Sequence, residues 1–181
     1  MEQLSDSDLV ERAQKGDRQA FSDLLQRHYQ NIYKLAYRWC GRQDDAQDVA
    51  QEVCVKLVGA IAGYRGQAAF SSWLYGITLN AARDFHRKKV RHDKREDTAL
   101  DLDQFQTTVG NPENSLISSL IRRCIALLPD NLRMAVILVH GEGLNHLQAA
   151  QAQDCAEGTI SWRLSQARKN LHTCLDRGDI S

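Results

Sequence analysis

Apolar residues recur every three or four positions along almost the whole chain, while the alternation of a half-buried strand is nearly absent. Only Pro112 and Pro129 punctuate the pattern. A chain patterned this way is confined to packed helices, because each apolar stripe must be buried against another. Ser5 or Ser7 can cap a first short helix that ends near Gly16. Asp17 caps a second, with Phe21, Leu24, Leu25, His28, Tyr29, Ile32 and Ala36 on one stripe, and Gly41 stops it. A third, from about Asp44 to Ala62, turns Ala46, Val49, Ala50, Val53, Leu57 and Ile61 inward. After the loop Gly63 to Ala69, Ser71 opens a fourth helix carrying Trp73, Leu74, Ile77, Ala81 and Phe85.

The periodicity fades between Val90 and Ser115, where charge clusters, Gly110 and Pro112 mark a linker. Helices over roughly 113–127, 130–141, 144–153 and 158–175 follow. The expected fold class is all-α, two small helical domains joined by a polar linker. The boundaries are 1–92 for the first domain, 93–112 for the linker and 113–181 for the second.

At 43% hydrophobic and 25% charged the chain can bury a core and remain soluble. Formal net charge is zero, but charge is segregated along the sequence. Seven basic residues lie between Arg83 and Arg95 (Arg83, Arg87, Lys88, Lys89, Arg91, Lys94, Arg95) against Asp84 and Asp93. Acid gathers at Asp44, Asp45, Asp48 and Glu52, and again from Glu96 to Asp103. The five cysteines are odd in number and none share C-x-x-C spacing, which predicts reduced thiols packed in helix cores. The acidic N-terminus lacks the apolar core of a signal peptide, and no apolar run reaches the roughly 18–20 residues that span a bilayer. A cytoplasmic protein is expected.

From Leu128 to Leu175 the chain reads as a helix-turn-helix. The last helix carries Ile160, Leu164, Ala167, Leu171 and Leu175 on one face and Trp162, Arg163, Gln166, Lys169 and Asn170 opposite. An apolar face backed by long hydrogen-bonding side chains suits the DNA major groove. Thr159 is placed to cap this helix, and Ala149 and Ala150 allow a close crossing with the helix before it. Arg133, Arg168 and Lys169 suit phosphates, while Trp162, Arg163 and Gln166 can reach base edges. An ordinary helical hairpin with a solvated basic face would carry the same pattern.

In the first half, the polar face of the third helix (Asp44, Asp45, Gln47, Asp48, Gln51, Glu52) reads on composition alone as solvated. The loop that follows and the start of the fourth helix carry two aromatic residues, Tyr64 and Phe70, and two polar ones, Arg65 and Gln67. Asn80 is a two-way hydrogen bonder on an apolar helix, and Arg83, Arg87 and Lys88 can hold adjacent phosphates. Enzyme motifs are lacking: there is no H-E-x-x-H, no phosphate-cradling glycine loop and no G-x-S-x-G, and His140 and His146 share no helix face. No catalytic residue, metal or cofactor is expected.

The ordered motifs resemble those of the extracytoplasmic-function (ECF) group of bacterial RNA polymerase sigma factors. The resemblance rests on Gly16-Asp17 with Ala20-Phe21, on Asp45 to Val53, and on Phe70 to Ile77 leading to Asn80. In the second half it rests on Leu128-Pro129-Asp130-Asn131-Leu132-Arg133, Glu142-Gly143-Leu144, Gly158-Thr159-Ile160 and Arg163 to Arg168. The sequence departs from the group's pattern at Gln148-Ala149-Ala150, at Asp154 to Glu157 and at Trp162. The resemblance implies a non-enzymatic factor that binds core RNA polymerase and directs it to promoters. Asp45, Asp48, Gln51 and Glu52 would dock on the coiled coil of the largest subunit, and the second domain on the flap of the second-largest. Tyr64, Arg65, Gln67, Phe70, Asn80, Arg83, Arg87 and Lys88 would recognise and melt the −10 element. Arg133, Thr159, Ser161, Trp162, Arg163, Gln166, Arg168 and Lys169 would read the −35 element. The group also implies an anti-sigma partner, often membrane-anchored. The other reading, a free-standing helix-turn-helix repressor or activator, leaves the first half without a role.

Overall fold

The computed structural model describes residues 4–93 and 112–176. Among these residues the chain is helical without strands, and it divides into two compact units, Met1–His86 and Arg87–Ser181. Lys94, Arg95, the acidic stretch Glu96 to Asp103 and most of the expected linker lie outside the described residues.

The first unit holds α1 (Asp6–Gln14), α2 (Arg18–Cys40), α3 (Gln43–Ala60), a 3₁₀ turn (Ile61–Gly63) and α4 (Phe70–Asp93), whose last two turns run past the division. Ser5 caps α1 in a reciprocal box: the Asp8 N–H donates to Ser5 Oγ at 3.2 Å and the Ser5 N–H to Asp8 Oδ2 at 3.0 Å. Asp17 caps α2 by accepting from the Gln19 and Ala20 N–H groups. Gly41 ends α2 in the left-handed region at φ 75°, where a side chain would be strained. The hydrogen bonds from Ser5 hold the Asp8 carboxyl below its ordinary range, and those from Ala20 and Arg12 do the same for Asp17. A carboxyl depressed on folding contributes stability above its unfolded value of about 4, and that contribution is lost as pH falls through the lower folded value.

Leu24, Ile32, Leu35 and Trp39 of α2 form the core with Val49, Val53 and Leu57 of α3 and Leu74 and Leu79 of α4, all buried. Each such aliphatic side chain contributes roughly 1.5–3 kcal/mol by leaving water. His28 lies on the buried side of α2 as the stripe predicts, and its Nε2 meets Asp6 Oδ2 at 2.7 Å.

The second unit holds α5 (Pro112–Ala126), α6 (Asp130–Val136), a π turn (Ile137–Gly141) that continues it, α7 (His146–Ala152) and α8 (Glu157–Asp176). Leu128, Leu132, Val136 and Ala167 form its core, with Ile125, Leu164 and Leu171 packed against it. Asn145 caps α7 in a reciprocal box with Gln148. Ala149 and Ala150 are buried where α7 packs on α8. Two expectations change. Helix α8 begins at Glu157, so Thr159 lies inside its first turn and does not cap it; the chain reverses earlier, at Asp154 with φ 47°. Cys124 and Cys174 form a disulfide with Cα atoms 5.9 Å apart, not two separate thiols. Cys124 points into the unit at 1% exposure, and the end of α8 returns to meet it 50 residues later. Cys40, Cys54 and Cys155 are not disulfide-bonded.

Candidate nucleic-acid interface

Helix α3 separates its two faces cleanly. With Ala46, Val49, Ala50, Val53 and Leu57 buried, Asp44, Gln47, Asp48, Gln51, Val55 and Val58 are left exposed. Asp48, Gln51, Val55 and Val58 alternate steps of three and four residues, the seam spacing of a helix that packs along another helix. Val55 is 74% and Val58 64% exposed, a placement that solvation alone does not favour. Asp45 and Glu52 flank this ridge, half-buried and paired with Arg42 at 3.8 Å and Lys56 at 2.7 Å.

The segment between α3 and α4 is a loop on an aromatic floor. Tyr64 packs edge-on against Phe70 with ring centres 5.5 Å apart and lies 5.0 Å from Trp73. Phe70 in turn meets Trp73 at 5.6 Å and His28 at 5.2 Å. The Tyr64 hydroxyl donates to the Ala68 carbonyl at 2.6 Å, which ties the two ends of the tip. Burial, and secondarily the Asp6 carboxylate, push the Tyr64 phenol up, so it keeps that proton at neutral pH. Gly66 makes the reversal at φ 69°. Arg65 and Gln67 are exposed at the tip, Tyr64 is half-buried, and Phe70, only 4% exposed, supports the loop from below. On α4 Asn80 is exposed, and Asn80, Arg83, Arg87 and Arg91 follow one another along one side of the helix. Arg83 is half-buried beside Asp84 at 3.5 Å, while Arg87 and Lys88 are exposed.

In the second unit the outer face of α8 presents Trp162, 56% exposed, together with Ser161, Ser165, Arg168 and Lys169. Gln166 and Thr159 are half-buried. Arg163 takes a different place. Its side chain folds back into the turn, where Nη1 donates to Gln153 Oε1 at 2.5 Å and lies 3.6 Å from Cys155 Sγ. At about 100° per residue Arg163 falls on the flank of α8 that faces the turn, about 40° beyond Ala167 and away from the centre of the buried face, whereas Trp162 and Lys169 point outward. Arg133 is 7% exposed on α6, inside the unit and off its surface. His146 Nδ1 lies 3.0 Å from Ser161 Oγ and links the start of α7 to α8. The same helical projection could have found Ser165 on the outer face; no sequence signal singles out His146 or Gln153. Among the described residues no cluster of three or more His, Cys, Asp or Glu side chains can hold a metal ion, and no helix is long and apolar enough to cross a membrane.

Known proteins share this arrangement. The sigma-70 region 2 family profile matches residues 24–92, and the sigma-70 region 4 profile matches residues 118–171. The ECF RNA polymerase sigma-E factor of Escherichia coli (strain K12) is 36% identical over 180 residues, 94% of each chain. The protein of the same name from Haemophilus influenzae is 36% identical over 94% of this chain and 95% of its own. Two solved structures share the fold. The sigma factor RpoE in complex with the anti-sigma factor NepR from Bartonella quintana aligns with a TM-score of 0.65 at 23% identity, covering 86% of this chain and 96% of that one. CnrH in complex with the cytosolic domain of CnrY aligns with a TM-score of 0.68 at 23% identity, covering 95% and 97%.

Proposed function

The chain belongs to the ECF group of sigma-70 factors, non-enzymatic initiation factors that direct RNA polymerase to promoters, and from that premise we propose how its surfaces divide the work. The first unit, with the whole of α4, binds core polymerase and opens the −10 element. The second anchors the −35 element.

The observation that carries this division is the outward ridge of α3. Asp48, Gln51, Val55 and Val58 are exposed at seam spacing on a helix whose other face is fully buried. A helical partner with basic residues beside an apolar strip complements that ridge, and we assign that role to the coiled coil of the largest polymerase subunit. Acidic groups set orientation and encounter rate, and the valines supply the buried centre. Next to the ridge, the exposed loop tip of Arg65 and Gln67 meets the unpaired strand, with Asn80, Arg83, Arg87 and Lys88 along α4 holding the adjacent backbone. An anti-sigma factor that covers the α3 ridge would silence the protein by competing with polymerase; the similar structures include RpoE in complex with the anti-sigma factor NepR and CnrH in complex with the cytosolic domain of CnrY.

The defining experiment is reconstitution. Core polymerase with this protein is expected to start specific transcripts from linear genomic fragments, and core polymerase alone is not. Unchanged run-off transcripts would defeat the reading.

Within the −35 half, Trp162 and Lys169 act differently. The Trp162 ring, exposed on the outer face, reaches bases, so Trp162→Ala is expected to cost roughly 1–3 kcal/mol and to relax preference at one position. Lys169 contacts phosphate, so Lys169→Ala weakens all sequences alike and reduces the salt slope by about one. Footprinting over a salt series separates the two. Identical slopes for Lys169→Ala and the unaltered protein would remove Lys169 from the interface. Arg163, turned toward Gln153 and Cys155, acts as a brace for the turn, so Arg163→Ala loosens the helix-turn-helix and lowers its melting temperature.

A further inference from the structure

The loop between α3 and α4 is gripped from a third side. Helix α1 ends at Gln14, whose Nε2 donates to the Ile61 carbonyl at 2.9 Å and to the Tyr64 carbonyl at 2.8 Å. These acceptors lie 47 and 50 residues away in sequence. The side-chain amide has two N–H donors, and here they span the two ends of the 3₁₀ turn that launches the loop. Two carbonyl acceptors also fix which way the amide faces, because the flipped amide would bring oxygen against oxygen. The Tyr64 N–H closes the same turn on the Ile61 carbonyl at 3.1 Å. Gln14 therefore holds the last backbone groups before the exposed tip of Arg65, Gly66 and Gln67.

The grip is only as firm as its mount, and α1 is well mounted. Leu9 and Val10 are buried at 2% and 4% exposure. Asp6 meets Arg27 Nη1 and His28 Nε2, each at 2.7 Å, and Arg27 Nη2 donates to the Leu4 carbonyl at 2.9 Å. His28 in turn lies against Phe70, beneath Tyr64. Helix α1 and the aromatic floor thus form one connected support, with Gln14 reaching the backbone above and His28 the rings below.

We propose that Gln14 is a positioning residue for strand recognition. It holds the start of the loop so that the tip is presented to the unpaired −10 strand in its binding geometry. The proposal rests on the assignment of that loop to the −10 element. A loop that must be ordered on binding loses apparent affinity in proportion to the fraction of time it is competent. Losing two hydrogen bonds of ordinary strength would weaken single-strand binding about fivefold to thirtyfold. Gln14 lies on the surface at the helix end, so the fold itself does not depend on it.

The test uses the holoenzyme reconstituted with core polymerase. A single-stranded DNA pool with a randomised six-base window is selected on the unaltered holoenzyme, and the enriched oligonucleotide, fluorescently labelled, becomes the probe. Gln14→Glu keeps the shape but replaces two donors with acceptors, and Gln14→Met keeps the length without any polar group. Both are expected to bind the probe about fivefold to thirtyfold more weakly, with unchanged affinity for core polymerase and an unchanged melting temperature. Gln14→Arg, which restores donors, is expected to recover binding without a steeper salt dependence than that of the unaltered protein. Arg65→Ala and Gln67→Ala test the loop itself. If those tip variants lose the probe and Gln14→Met does not, the role of Gln14 is overturned while the loop assignment stands. If the tip variants also bind normally, the loop assignment fails first. A drop in melting temperature that accounts for the whole loss in Gln14→Glu and Gln14→Met would make Gln14 merely structural and would also overturn the proposal.

Discussion

Replacing Val55 and Val58 together by Asp is expected to abolish holoenzyme formation at concentrations where the unaltered protein assembles fully, without unfolding the first unit. Both side chains are mostly in water, at 74% and 64% exposure, so the substitution removes nothing from the core. Val and Asp also have similar, middling helix propensities, so the cost to α3 is confined to placing a carboxylate in its last turn against the C-terminal dipole, roughly 0.3–1 kcal/mol. The effect falls on the interface. Centrally buried anchors each contribute about 2 kcal/mol or more when truncated, and a carboxylate forced into their place has no partner in an apolar contact. A loss of at least about a hundredfold in affinity follows, near 3 kcal/mol at 1.4 kcal/mol per tenfold. Fluorescence anisotropy with labelled protein and core polymerase measures it, and circular dichroism checks the fold. Val55→Ala with Val58→Ala should fall between, since it removes the contact without burying charge. Affinity unchanged in the aspartate pair would mean that α3 faces something other than polymerase.

The valines also mark where sequence reasoning works and where it stops. Caps and stops are local chemistry, so Asp17 and Gly41 could be identified from residue type alone, and both act as expected. Core stripes are equally legible, because a buried helix face repeats: Val49, Val53 and Leu57 follow from their spacing. The α3 ridge is legible in part, as two valines that fit the outward side of a helix and not the inward one. The features that escaped are those decided by side-chain direction or distant return of the chain. Arg163 reads from the sequence as a base contact, yet it lies on the flank of α8 and turns toward Gln153. Phe70 reads as an open wall, but it begins α4 directly over His28 and is buried by the same packing that fixes the helix. Gln14 carries no signal, because its acceptors are backbone carbonyls 47 and 50 residues away.

Reducing the Cys124–Cys174 bond is expected to lower the stability of the second unit by about 2–4 kcal/mol, the other large effect. The bond joins the buried side of α5 to the last turns of α8 and closes a loop with a sequence separation of 50 that contains α6, α7 and most of α8. In the chain-entropy account, restricting the unfolded chain over a loop of that length contributes about 4 kcal/mol, an upper figure because unfolded chains retain some order. Helical units this small have little stability to spare, so the loss would be a large share of the total. Calorimetry with and without dithiothreitol is expected to show the second unit melting on the order of 10–20 °C lower when reduced. Cys174→Ser should melt like the reduced protein under both conditions, since its side chain is half-exposed and the serine hydroxyl can be solvated. Cys124→Ser should fall lower still, because Cys124 is 1% exposed and a hydroxyl there is taken from water without an assured partner. If the unaltered protein melts at one temperature with and without reductant, the bond does not stabilise the unit. If it shifts, the redox state of Cys124 and Cys174 sets how firmly the last turns of α8 are held to α5.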